Sequence, residues 1–219
     1  IDSEIIVVDN NSSDDSCEMI KMRFPNVNLI VNNSNLGFPK GNNIGVAQAN
    51  GDYICILNPD TVVAEDTFEK ILAFAEKQEN LGIVGCKLID GSGNFLPESK
   101  RGIPTPFVAL TKIFGLYKLF PNWGLFNRYY AQHLSENETG KVAILVGAFM
   151  IMKRDLYNEI GGFDENCFMY SDDIDLSYMA LKSGKLNYYF HETSVIHYKG
   201  ESTIKDGLYM KRFREAMQF

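Results

Sequence analysis

An α/β domain built on a doubly wound, mostly parallel sheet is predicted by three observations. Short apolar runs bounded by turn residues alternate with stretches of helical character, giving the order β-α-β-α-β-α-β through residue 88. Two of those apolar runs end in a carboxylate, Asp9 and Asp60, at the edge where open α/β sheets bind ligands. The chain of 219 residues is long enough for one such domain with an insertion.

The elements follow in order. Residues 4–9 read as a buried parallel strand, and residues 10–13 as a turn. Asp14, Asp15 and Glu18 favour the start of a helix that runs to about Phe24, because carboxylates are stabilised at a helix N-terminus. Residues 27–31 form a second strand. Residues 37–45 lead into a short helix that stops at Asn50-Gly51. Residues 53–57 form a third strand, closed by Asn58-Pro59-Asp60. Phe68, Ile71, Leu72 and Ala75 lie at helical spacing, and residues 83–88 form a fourth strand.

Beyond Asp90-Gly91-Ser92-Gly93-Asn94, a hairpin turn, Pro97, Pro104 and Pro106 mark an irregular stretch. Residues 107–126 are aromatic and basic. Residues 141–153 give one or two apolar strands. Residues 171–183 read as a helix with three aspartates at its start and Gly184 as its stop. Strands are expected over 186–191 and 194–198.

Hydrophobic residues make up 45% of the chain and charged residues 22%, so a core can form. The net charge of −7 argues against general binding to nucleic-acid backbones, which needs clustered cations. Cys17, Cys55, Cys86 and Cys167 lack zinc-site or thioredoxin-like spacing. Cys55 and Cys86, in strand-like runs, read as buried thiols of a reducing compartment. No signal peptide is visible, and the longest apolar run, 142–152, is short of the roughly 20 residues that span a bilayer. The chain enters a strand at once, as an internal fragment would, and upstream signals are then missing from it.

Five segments can carry chemistry, and each also has an ordinary structural use. Asp9 can accept hydrogen bonds from a ligand, or cap the next turn. Asn35-Leu36-Gly37-Phe38-Pro39-Lys40-Gly41-Asn42-Asn43-Ile44-Gly45 has three glycines spaced by four at a helix start. These permit close backbone approach and present free N–H groups, or form a plain loop. It is neither the dinucleotide glycine motif nor a P-loop. Leu57-Asn58-Pro59-Asp60 suits a hard divalent cation that also holds phosphates, or is simply a turn. In Ser171-Asp172-Asp173-Ile174-Asp175-Leu176 the three aspartates repel one another unless a cation, water or the helix dipole compensates. They cannot share one helix face, so either one faces a site while the others, Asp175 above all, cap or anchor the helix, or the three form a solvated acidic N-terminus. His197 ends an apolar run, where histidine either packs or ligates.

The order and spacing of these segments resemble glycosyltransferase family 2, the inverting enzymes with the GT-A fold, over nearly the whole chain. The resemblance rests on Ile6-Val7-Val8-Asp9-Asn10-Asn11-Ser12-Ser13-Asp14, Asn35-Leu36-Gly37-Phe38 with Gly41-Asn42-Asn43, Leu57-Asn58-Pro59-Asp60 and Gly147-Ala148-Phe149. It continues in Gly161-Gly162-Phe163-Asp164-Glu165, Asp172-Asp173-Ile174-Asp175-Leu176 and His197. The rhamnosyltransferase-like branch, where Asn-Pro-Asp often replaces Asp-x-Asp, is the most similar.

The resemblance implies a nucleotide-diphosphate sugar as donor and a glycan or lipid-linked acceptor, in bacterial polysaccharide or cell-surface glycan synthesis. It implies that Asp9 contacts the base, with Asn35, Gly37, Lys40, Asn42 and Asn58 also on the donor side. Asp60 would bind Mg²⁺ or Mn²⁺ beside the diphosphate, with His197 joining that site. Gly147 and Ala148 would line the acceptor side, and Asp173 would be the general base, with Asp172 as the competing carboxylate. Three departures stand out. The family's first strand and helix do not precede Ile1, which predicts weak donor binding by this fragment alone. Asn58 replaces a carboxylate, and Asp172 stands where glutamate is usual.

One GT-A domain is therefore expected, divided into a nucleotide-sugar-binding half over 1–96, an irregular insertion over 97–140 and an acceptor-binding and catalytic half over 141–219. The aromatic and basic residues of 107–126 suit a peripheral membrane contact, or a core or dimer cover. The expected location is cytoplasmic, at the inner face of a membrane where that contact forms. A sugar nucleotidyltransferase and a non-catalytic carbohydrate- or partner-binding domain are the rival readings.

Overall fold

The computed structural model describes residues 1–103, 131, 133–166 and 171–198. The first elements are β1 (Ile6–Asp9), α1 (Ser16–Arg23), β2 (Asn28–Val31), α2 (Phe38–Val46) and β3 (Tyr53–Leu57). Next come β4 (Thr61–Val63), α3 (Thr67–Ala75) and β5 (Leu81–Ile89). The second half adds β6 (Gly140–Val142), β7 (Phe149–Lys153), α4 (Arg154–Glu159), α5 (Asp172–Lys182) and β8 (Leu186–His197).

The α/β fold is the expected one. β1 and β2 pair in parallel as a separate two-stranded sheet. The remaining strands form a six-stranded sheet in the order β3-β7-β5-β8-β4, with β6 also on β8. In it β5 and β8 are parallel, while β7 runs antiparallel to both β3 and β5, and β4 and β6 antiparallel to β8.

Period-two alternation explains the core. Ile54 and Ile56 of β3 join Met150 and Met152 of β7 on one face, packed by Leu156 and Tyr157 of α4 and Leu176 and Ala180 of α5. Phe149, Ile151, Val84, Cys86 and Leu88 line the other face against Ile71 and Ala75 of α3. β5, enclosed by both layers, is therefore apolar at nearly every position.

The sequence-level elements differ from this in three places. Residues 186–197 form one long strand, not two, whose register on β5 slips between Cys86 and Lys87. β4 and α4 were not anticipated: three and six residues are too short to show a period. The aromatic–basic stretch 107–126 and Cys167 lie outside the described residues. Among the described residues Cys17, Cys55 and Cys86 are free thiols, and no helix is long and apolar enough to cross a membrane. Burial pushes the Cys55 thiol up to about 12, so it stays protonated and inert at neutral pH.

Candidate functional site

The motifs gather in two connected clusters. The first surrounds the end of β1. Asp9 is buried, and its carboxylate accepts the Ser12 backbone N–H at 3.0 Å and the Ser12 hydroxyl. These bonds, led by the hydroxyl, hold its carboxyl below the usual value of 3.8. Asp9 thus closes the turn through Asn11, which sits at a φ of 66°.

Asn10, which lies in the first motif but has no role assigned by it, fastens three segments. Its Oδ1 accepts from Asn32 Nδ2 at 2.9 Å, and its Nδ2 donates to the Gly37 carbonyl at 3.0 Å. A β-carbon on Gly41 would lie 3.1 Å from that same Nδ2. A β-carbon on Gly45 would lie 3.1 Å from Val8. The glycine spacing therefore lets α2 press against β1 and its terminal turn. Gly37 adopts a φ of 86°, which favours glycine, and its N–H is received by Asn35 Oδ1 at 3.0 Å. Asn42 donates to the Phe38 carbonyl of its own helix at 2.8 Å, and Lys40 lies 3.7 Å from Glu165.

A further asparagine, Asn43, ties α2 to the loop before α5. Its Oδ1 accepts from the Tyr157 hydroxyl at 2.5 Å and from Phe163 N–H at 3.1 Å. Its Nδ2 donates to the Phe163 carbonyl at 2.9 Å.

The second cluster lies where β3, β7, β8 and α5 meet. β4 pairs with β8 so that Thr61 faces His197, and Tyr198 N–H donates to the Asp60 carbonyl at 2.9 Å. His197 Nε2 consequently sits 3.4 Å from Asp60 Oδ1, with both side chains about 10% exposed (9% and 11%). Asn58 N–H donates to the Ala148 carbonyl at 3.0 Å. One residue upstream, Gly147 N–H donates to Asp173 Oδ2 at 3.2 Å.

Arg101, which lies outside the sequence motifs, forms a largely buried ion pair with that same oxygen of Asp173. Asp172 and Asp173 are both buried in the first turn of α5, where the helix N-terminus favours negative charge. Phe38 links the two clusters: its ring lies 3.7 Å from where a Gly147 β-carbon would stand.

Asp60 and His197, Asn58 and Ala148, and Gly147 and Asp173 are thus brought together in pairs. Asp9, Asn35 and Gly37 belong to the other cluster, while Lys40 and Asn42 are engaged along α2. Asp175 departs from its expected anchoring role. Burial first, then repulsion from Asp164, raises its carboxyl above 3.8, and no hydrogen bond holds its side chain among the described residues.

The sequence profile described as "Glycosyl transferase family 2" matches residues 1–161. The chain belongs to that family. It carries a glycosyltransferase domain of the GT-A fold, and transfer in family 2 inverts the anomeric centre.

Over 213 residues the chain is 26% identical to an N-acetylglucosaminyl-diphospho-decaprenol L-rhamnosyltransferase of Mycobacterium tuberculosis, covering 92% of this chain and 68% of that protein. It is 26% identical over 172 residues to rhamnosyltransferase WbbL of Escherichia coli, covering 74% and 61%. Among solved structures, GalNAc-T7 with UDP, GalNAc and Mn²⁺ superposes with a TM-score of 0.65 at 17% identity, over 98% of this chain and 41% of that one. The Pyrobaculum calidifontis mannosyltransferase PcManGT, with GDP-Man and Mn²⁺, gives 0.60 at 17%, over 99% and 55%. The chain therefore spans about half the length of these two structural neighbours.

Proposed function

We propose that the protein transfers a sugar, rhamnose-like in class, from a nucleoside-diphosphate donor to a glycan or lipid-linked acceptor at the two clusters described. The observation that carries this is the bond from Asn58 N–H to the Ala148 carbonyl. It sets the Asp60 turn beside the Gly147–Asp173 pair, so leaving-group and acceptor chemistry have a common wall. The rhamnosyltransferase relatives support the sugar class, and the decaprenol-linked substrate named for one of them supports a lipid-linked acceptor.

Asp60 is assigned to one divalent cation, Mg²⁺ or Mn²⁺, with His197 as its second protein ligand. The residues fit such an ion. Asn58 Oδ1 and Asp60 Oδ1 are buried acceptors without a hydrogen-bond partner among the described residues, which is costly unless something completes them, and His197 Nε2 lies 3.4 Å from Asp60 Oδ1. Two protein ligands suffice for a magnesium-like ion that takes its remaining oxygens from phosphates and water. When bound, the ion neutralises the charge that grows on the departing diphosphate. Both structural neighbours were solved with Mn²⁺, which favours a divalent ion in this fold.

On the donor side, Asp9, Asn35, Gly37, Lys40, Asn42 and Asn58 are assigned to the nucleotide sugar. Asp9 has lone pairs beyond its two bonds to Ser12. Lys40 is half exposed and can exchange Glu165 for a phosphate. Gly147 and Ala148 are assigned to the acceptor side, and Asp173 to taking the acceptor hydroxyl's proton. Asp172 is its competitor for that role. The division at residues 96 and 140 fits the same plan, and the location is cytoplasmic, with the stretch 107–126 as a candidate membrane contact.

The test is a panel of nucleotide sugars supplied to the full-length protein with its acceptor, scored by release of nucleoside diphosphate. Release from one donor class is expected. Consumption of a nucleoside triphosphate with a sugar phosphate would instead identify a nucleotidyltransferase.

A further inference from the structure

Asp173 is gripped through one of its two oxygens. Arg101 Nη2 and Gly147 N–H both donate to Oδ2, whereas Oδ1 is buried and has no hydrogen-bond partner among the described residues. Arg101 is itself fixed. Its backbone exchanges two hydrogen bonds with Ile144, at 2.8 and 2.9 Å, and Nη2 also donates to the Leu145 carbonyl at 3.1 Å. Each side chain of the pair is only 12% exposed.

A buried ion pair kept for stability alone would satisfy both carboxylate oxygens, because an unmet buried acceptor costs free energy. Here one oxygen receives two donors and the other, buried as well, is left without one. The guanidinium's donor directions are rigid, and Nη2 is shared between Asp173 Oδ2 and the Leu145 carbonyl, so together with Gly147 N–H it holds Oδ2 in place and not merely its charge.

We propose that Arg101 is a positioning residue that, with Gly147 N–H, turns Oδ1 of Asp173 toward the acceptor hydroxyl. The proposal rests on the assignment of Asp173 as the base. In the step it serves, the hydroxyl proton passes to Oδ1 as the acceptor oxygen forms its bond to the anomeric carbon. The bond from that carbon to the diphosphate oxygen breaks, and the diphosphate leaves with the electron pair. Oδ2, occupied by two donors, takes no proton.

The experiment compares Arg101→Met, Arg101→Lys, Asp173→Asn and the double variant Arg101→Met/Asp173→Asn in the full-length protein, measuring kcat, acceptor KM and donor Kd. Misplacing a reacting group typically costs about 10²-fold, so Arg101→Met should lose about that much kcat with donor Kd unchanged. Arg101→Lys should recover only part of it, because an ammonium matches the charge but not the planar geometry. The double variant should be no slower than Asp173→Asn. If Arg101→Met does not fold, the lysine variant and the double variant, which removes both buried charges, carry the comparison.

Full kcat in Arg101→Met or in Arg101→Lys overturns the proposal, as does a further loss on adding Arg101→Met to Asp173→Asn. If Asp173→Asn itself transfers sugar at the wild-type rate, the base assignment has failed. If Asp173→Asn is inactive while both Arg101 variants are fully active, only the positioning role has failed.

Discussion

Asn58 and Ala148, far apart in sequence, meet through a single backbone hydrogen bond of 3.0 Å at the junction of β3 and β7. The antiparallel pairing of these strands ends with Leu57 opposite Phe149. Each chain leaves the sheet there, one into Asn58-Pro59-Asp60 and the other, read backward, into Ala148 and Gly147. Two motifs that look independent in the sequence are therefore the two halves of one strand end.

Asp173→Asn should retain the fold and donor binding and lose about 10²–10⁴-fold in kcat, the range a positioned general base contributes. Asparagine keeps the shape and one acceptor oxygen but cannot take the proton. Single-turnover transfer beside donor titration checks this. If Asp172→Asn is the inactive variant and Asp173→Asn is not, the base lies one residue earlier.

Removing the divalent ion should abolish most turnover, and Asp60→Ala should reproduce that loss without adding to it. His197→Ala should weaken ion affinity by at least the roughly 10–100-fold that loss of an outer-shell partner costs, since His197 is assigned as a direct ligand. Ion titration of activity, with Mg²⁺ and Mn²⁺ compared, tests both. An Asp60→Ala protein fully active in excess chelator would contradict the assignment.

Asp175→Asn should leave the protein as stable as before or more so at neutral pH. Its folded carboxyl is raised above 3.8, with burial as the first cause and Asp164 as the second. The folded state thus holds its proton more tightly than the unfolded chain, so ionised Asp175 opposes folding at higher pH. That penalty fades as pH falls through the raised value toward 3.8. Thermal melts at pH 7 and in the acid range should show the variant's advantage at pH 7 shrinking on acidification. A loss of stability at pH 7 would count against this reading.

Gly147→Ala should fold normally, since the nearest atoms to an added β-carbon are Asp173 Cβ at 3.5 Å and the Phe38 ring at 3.7 Å, ordinary contact distances. If Gly147 lines the acceptor subsite, the methyl group should raise acceptor KM while donor Kd stays constant. Unchanged KM for acceptor would remove Gly147 from that surface.

Asn10→Ala should weaken donor binding and lower stability. It removes the bonds to Asn32 and Gly37 and leaves their partners unmet, a cost of about 1–3 kcal/mol for groups that stay buried. Denaturant melts and donor titration would register both effects. A variant with unaltered donor affinity would show that the loop keeps its shape without this tie.

The parts legible in the sequence were those set by local chemistry. β1, β3 and β5 announce themselves as apolar runs, and the Asp9, Asp60 and Asp172–Asp173 motifs by their carboxylates at element ends. What stayed hidden depends on partners distant in the chain. Arg101 sits in an irregular, proline-flanked segment with no period, and only its pairing with Ile144 directs it to Asp173. Asn43 looks like one more loop asparagine until Tyr157 and Phe163 close on it. His197 could be set beside Asp60 by resemblance alone, because β4, whose pairing with β8 brings the two together, is three residues long. Helix spacing puts Asp175 on a face of its own but does not say that this face is partly desolvated.

The central strand β5 has consequences for how the protein is made. Its two sheet neighbours, β7 and β8, and the partner of β3 all come from the second half of the chain. A nascent chain that has emerged only through Ile89 therefore holds three strands, β3, β4 and β5, without their described partners until some sixty to one hundred further residues follow. Closure must wait on these long-range pairings, which are slow to form because loop entropy is lost before contacts compensate. Translation pauses before residue 149, or truncations that stop there, should release aggregating species and no smaller folded domain.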